Sequence, residues 1–96
     1  MFHRVWWRLR TVRSDEGFVV RFIGLGHGIE YKENSQVFRL GVERAASGVD
    51  WMVYAKSLVR LLSKEQTEPV SEQTRERICE RVRSALLFLG IRFAMD

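Results

Sequence analysis

The sequence predicts an α+β fold: an antiparallel β-sheet, a meander of about five or six strands, with one long C-terminal α-helix packed on one face. Three observations predict it. Residues 1–55 hold short alternating or β-branched runs separated by turn residues. Residues 71–90 instead repeat their apolar positions at helical spacing. Between the halves, residues 56–70 read as a connector that holds the chain's one proline, Pro69.

The first element is an alternating strand over residues 3–13, which places Val5, Trp7 and Leu9 toward a core and Arg4, Trp6, Arg8 and Arg10 in solvent. The cluster Ser14, Asp15, Glu16, Gly17 turns the chain into a second strand over 18–23. With those four residues as the loop, Arg13 faces Phe18, Thr11 faces Val20, Arg10 faces Arg21 and Leu9 faces Phe22. Gly24, Gly26 and Gly28 around His27 mark an irregular loop or bulge. A tight hairpin then joins 29–33 to 36–43 through Asn34 and Ser35, pairing Glu33 with Gln36, Tyr31 with Phe38 and Ile29 with Leu40. Residues 49–55 form a fifth strand, and 57–62 a helical turn or two.

Ser71 is placed to cap the helix, in which Ile78, Val82, Ala85, Leu86 and Leu89 form one stripe. Gly90 ends it and residues 91–95 make a short final strand. A helix of about 18 residues spans roughly 27 Å, enough to cross such a sheet.

Ninety-six residues, 46% hydrophobic and 29% charged, fit a single soluble globular domain over 1–96. The longest continuous apolar run, residues 85–89, is far below the roughly 20 residues that span a bilayer, and the basic start lacks the apolar stretch of a secretory signal. No membrane association is expected, and the location expected is cytoplasmic. The lone Cys79 excludes an internal disulfide and a cysteine-rich metal site.

The formal charge of +4 resides wholly in the first thirteen residues, where Arg4, Arg8, Arg10 and Arg13 meet no acid; the remaining twelve bases balance twelve acids. Arginine alternating with tryptophan suits phosphates and bases, so a small basic nucleic-acid-binding domain is one reading. The other is the charged solvent face of an edge strand.

His27 has no Ser, Cys, Asp or Glu partner set beside it by sequence and reads as a neutral loop residue. Cys79, at the border of the helix stripe, reads as a core thiol. On the helix, Glu72, Glu76 and Glu80 form an acidic ridge and Arg77 and Arg81 a separate basic one. Either is a solvated face or an electrostatic patch for a protein partner. Leu87 and Phe88 fall off the stripe and need cover from the segment with Leu58 and Leu62, or from a partner. No cofactor, metal or catalytic residue is expected.

One further pattern runs through the second half: Trp51, Met52, Val53, Tyr54 and Ala55 ahead of Lys56, Ser57, Leu58, Val59 and Arg60; then Glu68, Pro69, Val70 and Ser71; then Arg75, Glu76, Arg77 and Ile78, with Val82 to Leu86 and the closing Gly90 and Ile91. Together with residues 29–33, Val42 and Glu43 it resembles small immunity proteins of bacterial polymorphic-toxin and contact-dependent growth inhibition systems. The resemblance implies a strand with a Tyr and Ser segment, a proline connector and a helix packed on a sheet. It also implies a non-enzymatic function, binding and neutralising a cognate protein toxin, the C-terminal domain of a larger secreted protein. The contact candidates are Glu72, Glu76 and Glu80 for a cationic toxin, with Glu65 and Glu68 beside them, and Arg4, Trp6, Arg8 and Arg10 for an acidic one. A monomer or weak dimer is expected.

Overall fold

The computed structural model describes residues 1–4, 10–24, 27–46 and 48–96. Its elements in chain order are β1 (Phe2–Arg4), β2 (Thr11–Ser14), β3 (Phe18–Gly24), β4 (Gly28–Glu33), β5 (Gln36–Arg44), β6 (Trp51–Leu61), β7 (Thr67–Pro69), α1 (Glu72–Phe88) and β8 (Phe93–Met95). The fold is α+β, as the change of period predicts. Among the described residues the sheet has eight strands in the order β1 to β7, with β8 paired to β6.

The first strand is the largest correction. Residues 3–13 are not one strand: β1 pairs antiparallel with β2, Phe2 opposite Ser14 and Arg4 opposite Val12, so the chain reverses between them. The contact that stabilises the reversal comes from far along the chain. Phe2 packs edge-on against Phe18 at 5.9 Å and against Phe88 of α1 at 5.8 Å, aromatic contacts that alternation in the local sequence does not register.

The β2–β3 hairpin is also one residue out of its predicted register. Gly17 takes φ +95° and donates its N–H to the Ser14 carbonyl at 3.1 Å, the left-handed bulge position that glycine adopts without steric cost. The extra residue sets Arg13 opposite Val19, Val12 opposite Val20 and Thr11 opposite Arg21. Val12 and Val20 are thereby fully buried together.

The second hairpin keeps its predicted register at all three pairs: Glu33 with Gln36, Tyr31 with Phe38 and Ile29 with Leu40. Asn34 and Ser35 both have positive φ, 49° and 68°, the backbone that a two-residue hairpin turn requires. At its far end β4 begins at Gly28, φ +73°, after an irregularity between Phe22 and Gly24.

β6 runs on to Leu61, so residues 57–61 are strand where a helical turn was expected over 57–62, and 67–69 of the connector form β7. Leu58 points into the core while Val59 and Leu61 are only half-buried, the alternation of a strand. An apolar run this short does not by itself distinguish helix from strand. Pro69 sits on the short β7, which is paired to β6 alone, where a missing N–H costs no ladder bond. The sheet is not wholly antiparallel either. After α1 carries the chain back, β8 lies parallel to β6, Trp51 opposite Phe93 and Val53 opposite Met95, as a helical crossover permits.

Ser71 caps α1 by accepting from the Thr74 N–H at 3.2 Å. At the other end Ile91 N–H reaches the Leu86 carbonyl and Gly90 N–H that of Leu87, with Gly90 at φ +76°, a left-handed helix stop. Ile78, Cys79, Val82, Ala85 and Leu86 are buried against the sheet residues Val20, Phe22, Ile29, Tyr31, Phe38, Leu40, Val53 and Leu58. The helix covers one face. Among the described residues no helix lies over the opposite, outer face of the sheet.

Candidate functional site

The helix ridges separate into two environments. Arg77, exposed, and Arg81, half-buried, are both paired: they reach the end of the β4–β5 hairpin. Arg77 donates to both carboxylate oxygens of Glu33, at 2.7 and 2.9 Å. Arg81 donates to Glu33 at 3.0 Å and to the Tyr31 hydroxyl at 2.8 Å, and its guanidinium lies 4.6 Å from the centre of the Phe18 ring. Burial would raise the Glu33 pKa, but the hydrogen bonds from Arg77 and Arg81 outweigh it and hold the carboxyl below the usual glutamate value. Burial also pushes the Tyr31 hydroxyl up. Helical spacing places the two arginines near each other in the sequence, but their carboxylate lies 44 and 48 residues away, so no local pattern marks it.

Glu72, Glu76 and Glu80 are exposed. They do not stand as an isolated acidic patch, because Arg75 and Arg83 lie among them around a hollow of about 280 Å³ that also includes Ala55, Cys79, Met95 and Asp96. Glu72 is ion-paired with Arg75. Cys79 is buried, and burial raises its thiol pKa, which keeps it protonated and unreactive.

Of the N-terminal arginine and tryptophan set, Trp6 and Arg8 lie outside the described residues, as do Val5, Trp7 and Leu9. Arg4 and Arg10 do not share the solvent face of one strand. Arg4 is opposite the buried Val12, on the helix side. There it reaches the Leu89 carbonyl at 3.4 Å and lies 5.9 Å from the centre of the Phe88 ring. Arg10, at φ +60°, sits 5.2 Å from the centre of the Phe22 ring, and its carbonyl accepts from the Phe22 N–H. Arg10 lies over a core aromatic, Phe22, and Arg4 over the exposed Phe88, contacts each worth about 0.5–1 kcal/mol at exposed sites.

Phe88 meets Phe2 and Arg4 and is still 43% exposed, and Leu87 is 66% exposed. His27 is exposed in the turn before β4, its N–H donating to Gly24. Among the described residues no three of His, Cys, Asp or Glu are grouped to hold a metal ion, and no helix is long and apolar enough to cross a membrane.

The outer sheet face is what the sequence reading missed. Pairing sets up two rows, each crossing six strands. One runs Arg13, Val19, Lys32, Val37, Leu61, Thr67; the next runs Thr11, Arg21, Glu30, Arg39, Val59, Pro69. Val19, Val37, Val59 and Leu61 are half-buried, and Arg13, Lys32 and Arg39 are exposed. A shallow hollow of about 430 Å³ opens over Val19, Lys32 and Val37 toward Asn34 and Ser35. Alternation along each strand was legible. That the outward residues of six strands align as apolar positions between bases follows only from the register.

Comparison with protein families, with curated proteins and with solved structures finds no match to this chain.

Proposed function

We propose that this chain is a non-enzymatic, protein-binding domain that acts as an immunity protein, occluding a cognate toxin domain in the cytoplasm of the cell that makes both. The observation that carries the reading is the outer sheet face, with aliphatic side chains set between exposed bases and, among the described residues, no helix above it. A sheet face turned to water is ordinarily polar at alternate positions, and one that keeps aliphatic residues there suits burial by another macromolecule. The sequence from Trp51 to Ile91, similar to that of small immunity proteins, adds the class of partner. Occlusion requires shape and charge, with no cofactor and no reacting group.

The test is to sequence the genes flanking the one for this chain and to co-express the chain with the C-terminal domain of any large secreted protein found there; the absence of such a gene counts against the reading. Restored growth and a one-to-one complex that survives gel filtration are expected. Undiminished toxicity together with no complex at about 10 μM of each protein, where a specific pair should associate, removes the reading.

A further inference from the structure

We infer that the outer sheet face is the docking surface, and that its partner is a protein surface with acidic side chains around an aliphatic centre. The inference rests on the protein-binding reading above and goes further, to the face and the chemistry it selects. It replaces both contacts suggested by the sequence, the Glu72, Glu76 and Glu80 ridge and the N-terminal arginine set.

Charge is the first argument. The two rows hold Arg13, Arg21, Lys32 and Arg39 against a single acid, Glu30. Glu30 is already engaged by Lys32 at 3.5 Å. Among the described residues no carboxylate comes within 4.0 Å of Arg13, Arg21 or Arg39. Arg77 and Arg81 of the helix, in contrast, are already held by Glu33. Planar guanidiniums not engaged by a carboxylate in their own chain are suited to donating paired hydrogen bonds to carboxylates of another.

The apolar centre is the second argument. Val37 and Leu61 are direct cross-strand partners, and Val59 stands two residues from Leu61 on the same face. They make a continuous aliphatic strip, with Val19 set beyond Lys32 and arginines at its margin. An apolar centre within a polar rim is the anatomy of a protein interface. Branched aliphatic residues do not stack on bases, so this strip does not suit single-stranded nucleic acid. A second copy is also disfavoured, because a two-fold contact through this face sets like charges against one another.

The test follows backbone amide shifts of the ¹⁵N-labelled protein. One probe is a peptide of about 14 residues alternating Glu and Val, long enough to cross the sheet. The other is an oligothymidine of about 12 nucleotides. The peptide is expected to shift Arg21, Lys32, Arg39, Val59 and Leu61, and to bind Arg21→Glu/Arg39→Glu at least roughly tenfold more weakly. Peptide shifts confined to α1, equal binding by that variant, no shifts at millimolar peptide, or tighter binding of oligothymidine to this face would each overturn the inference. So would a dimer mass that the double substitution abolishes. If the double variant unfolds, Arg21→Gln/Arg39→Gln carries the same comparison. Rescue of growth by the wild type and equally by a folded double variant removes this face but leaves the immunity reading. Peptide docking without rescue does the reverse.

Discussion

Arg81 and Glu33 meet across the seam between helix and sheet, Nη1 to carboxylate at 3.0 Å, with both side chains largely buried at 23% and 16% exposure. The same guanidinium binds Tyr31 and lies over Phe18, so one side chain ties α1 to β3 and β4. Removing one member leaves the others with unpaired polar groups in a partly dry site, a loss of order 2–4 kcal/mol. Arg81→Met and Glu33→Gln should each lower the urea midpoint accordingly, and Arg81→Lys should recover only part, since an ammonium lacks the second nitrogen that reaches Glu16 at 3.6 Å and the planar group that lies over Phe18. A change below about 0.5 kcal/mol in both variants would show the cluster to be incidental.

The same carboxylate sets an acid limb. Because the folded-state pKa of Glu33 lies below its ordinary value of 4.5, its contribution is complete above that pH and is lost as pH falls through the lower folded value. Thermal melts from pH 7 down to 3 should therefore steepen below 4.5 in the wild type and be flatter in Glu33→Gln. Parallel curves for the two proteins would contradict the assignment.

Gly28 cannot be replaced without moving β5. A Cβ there would stand 2.0 Å from the Leu40 carbonyl oxygen, and the backbone sits at φ +73°. Gly28→Ala should cost more than about 2 kcal/mol, from strain and a displaced strand together. Gly48→Ala is the control, at φ +84° but with open space around it, and should cost about 1 kcal/mol. Equal midpoints for the two variants would refute the steric part.

The Cys79 thiol is 8% exposed and its pKa is raised by burial. Iodoacetamide should modify the native protein at least roughly a hundredfold more slowly than the urea-denatured chain at pH 8, since only the exposed thiolate reacts. Comparable rates would mean that this part of the helix is not seated on the core.

Local chemistry decided several elements. Asn34 and Ser35 tolerate positive φ, and flanking apolar residues align in only one register, so the β4–β5 hairpin was legible to the residue. Ser71, the stripe from Ile78 to Leu86 and Gly90 marked the helix for the same reason. Where a segment's conformation depended on a distant partner, the sequence misled. Alternation over residues 3–13 is compatible with one strand, yet Phe2 is drawn back by Phe18 and Phe88. The run after Ala55 extends β6 because β5 and β7 offer it hydrogen bonds.

The sequence by itself determined the α+β class, the helix with its caps and buried stripe, and one complete hairpin, because each depends on contacts within a few residues. Only the tertiary structure decided that Arg77 and Arg81 converge on Glu33, that Arg4 and Arg10 turn to the Phe88 and Phe22 rings, and that arginines and valines from separate strands line up on one face. Those placements depend on register and on contacts between residues far apart in the chain, where a one-residue difference in register at the turn that holds Gly17 is enough to exchange the inward and outward side chains of a strand.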